Sequence, residues 1–317
     1  MSKRRTFIQS TFAGALSACA ASAFAHTKLT GSEVMMPVDT RNDRGGWPKA
    51  VLEPVQIKGF KLGEGLPKLI ASTTANTPED FLKQVEIYAN TPGLDCVDMR
   101  PDYIGKISGK EFAELTKKAY PLAKHLGVEV SLRDKYEGGG RIVPDDEYDI
   151  WWTEFFENGG KADFVDLEMF RDIKVVRKGI KMAHERGIKV MISDHEFGWT
   201  PSEDDMIRRL ITMDKEGSDI LKLAAWAHNF EDCLRLMSAT WKYRRYYGNK
   251  PLVTMSMGAI GCLSRVTGEF SGSDMTFVIV GDKGSAPGQF PIKSAQQIID
   301  DLHATMNAKS AQKRTDR

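Results

Sequence analysis

The sequence predicts an α/β chain folded as a parallel (β/α)8 barrel, the TIM-barrel architecture, with an N-terminal hairpin closing the barrel bottom. Three observations carry that expectation. Eight short strand-like runs recur between residues 68 and 280. Most are separated by segments with apolar residues at three- and four-residue spacing, and several of these segments end in glycine, as helix C-termini prefer. Eight such units in about 250 residues suit a closed barrel better than an open sheet. The composition agrees: 317 residues, 41% hydrophobic and 27% charged, describe a globular chain and exclude disordered and fibrous classes. Net charge is +1 with the two signs interspersed, so no nucleic-acid surface is expected.

Taken in order, residues 1 to 25 (MSKRRTFIQSTFAGALSACAASAFA) read as a twin-arginine export signal. Arg4 and Arg5 are followed by Thr6, Phe7, Ile8 and Gln9, then by an acid-free apolar stretch ending in Ala23-Phe24-Ala25. That stretch is too short to span a bilayer and has the small-residue exit of a cleaved signal, which predicts a periplasmic protein. Removing the three positive charges of Lys3, Arg4 and Arg5 from +1 leaves the mature chain at −2. Leu16 to Cys19 (LSAC) also fits a lipobox, so lipid anchoring at Cys19 stays open. Cys19, Cys96, Cys233 and Cys262 show no CxxC spacing, so no zinc site is expected; if Cys19 leaves with the signal an odd three remain, with Cys96 and Cys262 in apolar stretches, so no structural disulfide is expected.

Residues 26–52 lack periodicity and read as an extended arm, residues 53–305 as the barrel, and 306–317 as a polar tail. Within the barrel region, 55–65 reads as the hairpin. The strand runs are 68–73, 94–100, 128–133, 163–168, 189–194, 219–224, 252–257 and 275–280, with helices over 78–90, 109–127, 173–187 and 202–217.

In such a barrel chemistry sits where strands end and loops begin. Asp98, Arg100, Arg133, Glu137, Glu168, Asp194, His195 and Lys222 all fall there. Each alone has an ordinary reading: the carboxylates and arginines as ion pairs, His195 as a structural histidine, Lys222 as a lysine snorkelling to water. Their convergence is more telling. Lys222 interrupts the apolar run Ile220, Leu221, Leu223, Ala224, Ala225, where desolvation and neighbouring cations would disfavour an ammonium and free the amine as a nucleophile. With a ketone it would form an imine, whose protonated nitrogen makes a hydrogen on the adjacent carbon removable by a base such as His195. Ser264-Arg265 and the loop Ser285-Ala286-Pro287-Gly288-Gln289 supply an arginine fork and a Ser/Gln pair suited to a carboxylate and hydroxyls, although alone they read as a surface residue and a turn.

The motifs SLRDKYEGG, SDHEFGWTPS, SDILKLA, MSMGAIGCLSR and SAPGQF, in that order over roughly residues 53 to 305, resemble the type I 3-dehydroquinate dehydratases. The resemblance implies a hydro-lyase converting 3-dehydroquinate to 3-dehydroshikimate through a lysine imine, without metal or organic cofactor. It assigns Lys222 to the imine, His195 to proton removal and hydroxyl departure, and Glu137 to orienting the histidine. Arg265 matches the residue pairing with the substrate carboxylate, Ser285 and Gln289 the hydroxyl contacts, and Arg100 and Arg133 further polar contacts. Two positions depart from the family pattern. Asp98 stands where a glutamate is usual, so its hydroxyl contact is shortened, and Asp194 replaces an uncharged residue and would raise the histidine pKa if it faced the site. The export signal suggests catabolism of quinate-derived dehydroquinate. Two rival readings stay open: a divalent-metal barrel isomerase or lyase on sugars using Glu168, Asp194 and His195, and a non-catalytic periplasmic ligand-binding barrel motivated by Asp98 and Asp194. The expected partners are the small-molecule substrate and, for the precursor, the export machinery; a homodimer stays open.

Overall fold

The computed structural model describes residue 51 and residues 53–308. The export signal, the lipobox, nearly all of the arm and the last nine residues of the tail lie outside the described residues.

The chain enters through an antiparallel hairpin, β1 (Val55–Ile57) and β2 (Phe60–Leu62). Each of the eight strand runs then forms: β3 (Lys68–Ser72), β4 (Cys96–Met99), β5 (Gly127–Ser131), β6 (Phe164–Glu168), β7 (Lys189–Glu196), β8 (Ile220–Trp226), β9 (Leu252–Met257) and β10 (Met275–Ile279). Strands β3 to β9 pair in parallel in chain order, and β10 returns to pair with β3. The ring closes where the Asp274 amide donates to the Leu252 carbonyl at 2.7 Å and the Thr254 amide to Ser273 Oγ at 2.9 Å. A short β11 (Phe290–Pro291) extends β10.

The helices are α1 (Pro78–Ala89), α2 (Gly109–Leu122), α3 (Asp145–Glu157), α4 (Ile173–His184), α5 (Glu203–Lys215), α6 (Phe230–Tyr246), the single turns α7 (Leu263–Val266) and α8 (Gly268–Ser271), and α9 (Ile292–Met306). Their starts follow from local chemistry. Thr77, Ser202 and Asn229 cap α1, α5 and α6 by accepting orphan amides, and Ser108 with Glu111 forms a reciprocal capping box on α2. Most bounds shift by one to three residues, and one helix end shifts further. Helix α2 stops at Leu122 rather than running to Gly127, because Lys124 takes a left-handed φ of 52°. Gly127 opens β5 instead, where a Cβ would lie 2.5 Å from Ile57 of the hairpin. That glycine lets the hairpin plug the barrel floor.

Strand alternation divides the core in two. Ile70, Cys96, Phe164, Met191, Ile220, Val253 and Met275 point inward and join Val55, Ile57 and Leu62 of the hairpin. Leu69, Val97, Val128, Val165, Val190, Leu221 and Leu252 point outward against the helices. Both faces of the eight barrel strands are covered, which is why the runs read as largely apolar.

Candidate active site

Counting outward in steps of two from those inward residues predicts what lines the barrel mouth. Asp98 follows Cys96, Asp166 and Glu168 follow Phe164, Ser193 and His195 follow Met191, and Lys222 follows Ile220. The pocket there is lined by Asp98, Arg100, Arg133, Glu137, His195, Lys222, Arg265, Ser285 and Gln289, with Ser72, Ser131 and an apolar wall of Phe197, Met255, Met257 and Phe277. The residues that the resemblance assigns to catalysis or substrate contact all line this one cavity, whereas the strand-end candidates Glu168 and Asp194 do not.

Lys222, 4% exposed, extends from β8 with Nζ 4.6 Å from the centre of the Phe277 ring and 2.8 Å from Asp166 Oδ2. The expectation of an apolar and cationic surrounding is corrected here: Asp166 is its direct partner, and a second buried carboxylate, Glu129, lies 3.9 Å away. Both face inward because they occupy alternate positions of β6 and β5.

His195 Nδ1 lies 3.0 Å from Glu137 Oε2, on the turn Lys135–Glu137 that follows β5. An ionised Glu137 accepts the Nδ1 proton, which leaves Nε2 as the basic nitrogen. Burial and the neighbouring Glu168 push the Glu137 carboxyl well above its ordinary value, and Arg133 Nη1, 3.4 Å from the same Oε2, acts against them. Burial pushes the imidazole well below its ordinary value, and Arg133, Lys222 and Arg100 add like charge. The neutral base form is therefore the resting one.

Arg133 lines the pocket and also organises its wall. Its Nη1 donates to Ser193 Oγ at 2.8 Å and to Glu168 Oε1 at 3.2 Å, and Nη2 to Asp166 Oδ2 at 2.5 Å. Glu168 is held on its other side by Arg171 Nε at 2.7 Å, so it has the ion-pair role foreseen as its ordinary reading. Arg100 is similarly anchored, with Nε and Nη2 donating to the two oxygens of Asp102 at 2.8 and 2.7 Å. Asp98 accepts from Ser72 Oγ at 2.7 Å and Ser131 Oγ at 2.6 Å, so its shorter reach is fixed into the wall by two hydroxyls.

Arg265 stands apart. Its Nη2 donates to the Pro287 carbonyl at 3.0 Å and Nη1 approaches Met255 Sδ at 3.5 Å, while Nε is buried without a partner. Buried Arg100, Arg133, Arg171 and Arg244 each hold a carboxylate, whereas among the described residues none faces Arg265. Desolvation draws its pKa down to about 10, the signature of a buried cation lacking its anion. Beside it, Gln289 Oε1 accepts from the Ser285 amide and Nε2 donates to Ser285 Oγ, both at 3.0 Å. This loop reaches the pocket because Gly288, at φ 83°, packs where a Cβ would lie 2.4 Å from the Gly258 carbonyl oxygen.

Asp194 does not face the pocket. As the residue between two inward side chains of β7 it points outward, where Arg209 Nη1 of α5 donates to it at 2.7 Å. It therefore leaves the histidine unperturbed by contact, and the trio Glu168, Asp194, His195 invoked for a metal does not converge. Among the described residues no cluster of three or more His, Cys, Asp or Glu has metal-binding geometry. Sequence reasoning passed over Asp166, Glu129, Ser193 and Asp102. Inward parity in β5, β6 and β7 was the available signal for the first three; Asp102 lies beyond β4 and shows only once the loop folds back.

The fold and pocket define the class: a (β/α)8 barrel enzyme whose cavity centres on a strand lysine and a histidine base. The chain belongs to the type I 3-dehydroquinase family, whose sequence model matches residues 69–306. It is 31% identical over 254 residues to a 3-dehydroquinate dehydratase of Clostridioides difficile, covering 80% of this chain and 98% of that one. It is 33% identical over 256 residues to a catabolic 3-dehydroquinate dehydratase of Acinetobacter baylyi, covering 78% and 91%. Among solved structures, a type I 3-dehydroquinate dehydratase from Clostridium difficile with covalently modified comenic acid superposes with a TM-score of 0.74 at 30% identity, covering 80% and 98%.

Proposed function

We propose that the protein dehydrates 3-dehydroquinate to 3-dehydroshikimate, with Lys222 as the imine-forming residue, and that it does so outside the cytoplasm in quinate or shikimate catabolism. The observation that carries the site assignment is the coincidence, in one cavity, of a buried lysine amine, a neutral histidine and a buried arginine without a carboxylate.

In this reading Arg265 binds the substrate carboxylate, and Ser285 with Gln289 binds ring hydroxyls. The Lys222 amine adds to the ketone and water leaves, giving a protonated imine. His195 Nε2 takes a proton from the carbon between the imine and the hydroxyl-bearing carbon, and the electron pair is delocalised into the imine. The pair returns to expel the hydroxyl, which leaves as water with the proton from His195. Hydrolysis then frees Lys222 and the enone product. Glu137 holds the imidazole ring in place throughout. The twin-arginine motif at Arg4 and Arg5 supports export, and the catabolic relative supports the degradative role.

The decisive experiment is borohydride reduction in the presence of 3-dehydroquinate followed by peptide mass mapping. An adduct on Lys222 is expected, and Lys222→Ala should abolish both adduct and turnover while keeping the native melting curve. An active wild-type enzyme that gives no adduct would exclude the imine.

A further inference from the structure

Two carboxylates lie beside the Lys222 amine, and the fold tunes them in opposite directions. Asp166 is saturated with donors: Lys222 Nζ at 2.8 Å, Arg133 Nη2 at 2.5 Å and Ser193 Oγ at 2.5 Å. Although burial opposes ionisation, Arg133 and Lys222 hold this carboxyl below its ordinary range. It orients the ammonium but is a poor acceptor for its proton.

Glu129 is the reverse. It is 0% exposed, and neither Oε1 nor Oε2 has a hydrogen-bond partner. The groups around it are Cys96 and Asp98 from β4, Asp166 from β6, Lys222 from β8 and Arg133 beyond the end of its own strand. Burial drives its carboxyl well above the ordinary value, and Asp98 and Asp166 add to the effect against Lys222 and Arg133. Once ionised, Glu129 is therefore a stronger proton acceptor than Asp166. An acid inside the barrel, in register with Asp98 and without a hydrogen-bond partner, is costly to keep there.

We infer that Glu129 is the proton-exchange partner of Lys222, taking the ammonium proton that must be shed before the amine attacks and returning it when the amine is released. In the forward step one N–H bond of the Lys222 ammonium breaks and an O–H bond forms on Glu129, leaving a neutral amine and a neutral acid. At the end the Glu129 O–H bond breaks and the departing amine nitrogen regains the proton. The 3.9 Å separation of Nζ and Oε1 closes with a displacement of about 1 Å, to ordinary hydrogen-bond length. Paired groups driven apart in proton affinity are what acid and base assignments require. This inference rests on the imine reading, since it concerns how the amine becomes nucleophilic.

The test is rapid-quench borohydride trapping of 3-dehydroquinate on Lys222, with the rate of adduct formation measured against pH for wild type, Glu129→Gln, Glu129→Leu and Glu129→Asp. In the Gln and Leu variants the rate should fall about tenfold or more near neutral pH and recover as pH rises, because hydroxide then removes the proton. Glu129→Asp should restore part of the neutral-pH rate. Wild-type rate and pH dependence in either folded variant, judged by an unchanged melting curve, would overturn the inference, and Leu decides if Gln does not fold. Absence of any adduct in an active wild-type enzyme would instead overturn the imine reading itself, so the two failures are distinguishable.

Discussion

At the scale of single residues, side-chain parity on a strand decides function. His195 and Asp194 are neighbours in sequence, yet one enters the cavity and the other pairs with Arg209 on a helix. The imidazole is held well below its ordinary pKa, so the base form persists as pH falls. The acid limb for breakdown of the preformed imine, followed in single turnovers, should therefore lie below about pH 6.5, the unperturbed histidine value. Asp194→Asn should leave that limb in place, whereas a displaced limb would mean that Asp194 acts on the histidine. His195→Ala should slow this step by roughly 10²–10⁴-fold while the imine still forms and can be trapped.

Elements hold the site through contacts that never touch substrate. Arg209 of α5 spans Asp194 at 2.7 Å and Asp205 at 2.8 Å, tying the outer face of β7 to its helix. Arg209→Ala leaves Asp194 buried and unpaired, a loss of about 3 kcal/mol. That corresponds to a melting temperature lower by roughly 6–12 °C, measurable by circular dichroism. The loop of Ser285 and Gln289 depends on Gly288 against Gly258. Gly288→Ala should push that loop outward and raise KM about tenfold, or ~1.4 kcal/mol, with a smaller effect on kcat. An unchanged KM in steady-state assays would show that the loop tolerates the displacement.

For the molecule as a whole, the barrel gathers charge that no local segment could stabilise. Arg133 reaches Asp166 and Glu168 on β6 and Ser193 on β7, and Lys222 reaches across to β5 and β6. Arg133 is 33 residues from Asp166 and 60 from Ser193, and Lys222 is 56 from Asp166, so only the folded barrel brings them together. The proposed export poses a separate whole-molecule question. Replacing Arg4 and Arg5 together by lysine should keep the protein in the cytoplasm, which fractionation and activity assays of the two compartments would reveal. Continued periplasmic activity would argue against twin-arginine export.

The sequence by itself determined the eight strands and the hairpin and pointed to Lys222, His195, Glu137 and Arg265, because apolar periodicity and local motifs are short-range properties. Even the lysine's anomaly was visible, as one charge in a buried run. What the tertiary structure decided is the electrostatic partner of each group. Parity turned Asp194 away from the cavity, and strand order placed Asp166 and Glu129 beside Lys222. Arg133 became the hub of a carboxylate network, and Arg265 was left without an anion. A sequence lists which charges a chain carries. The distances that set their proton affinities arise only when distant strands meet in a medium from which water is excluded.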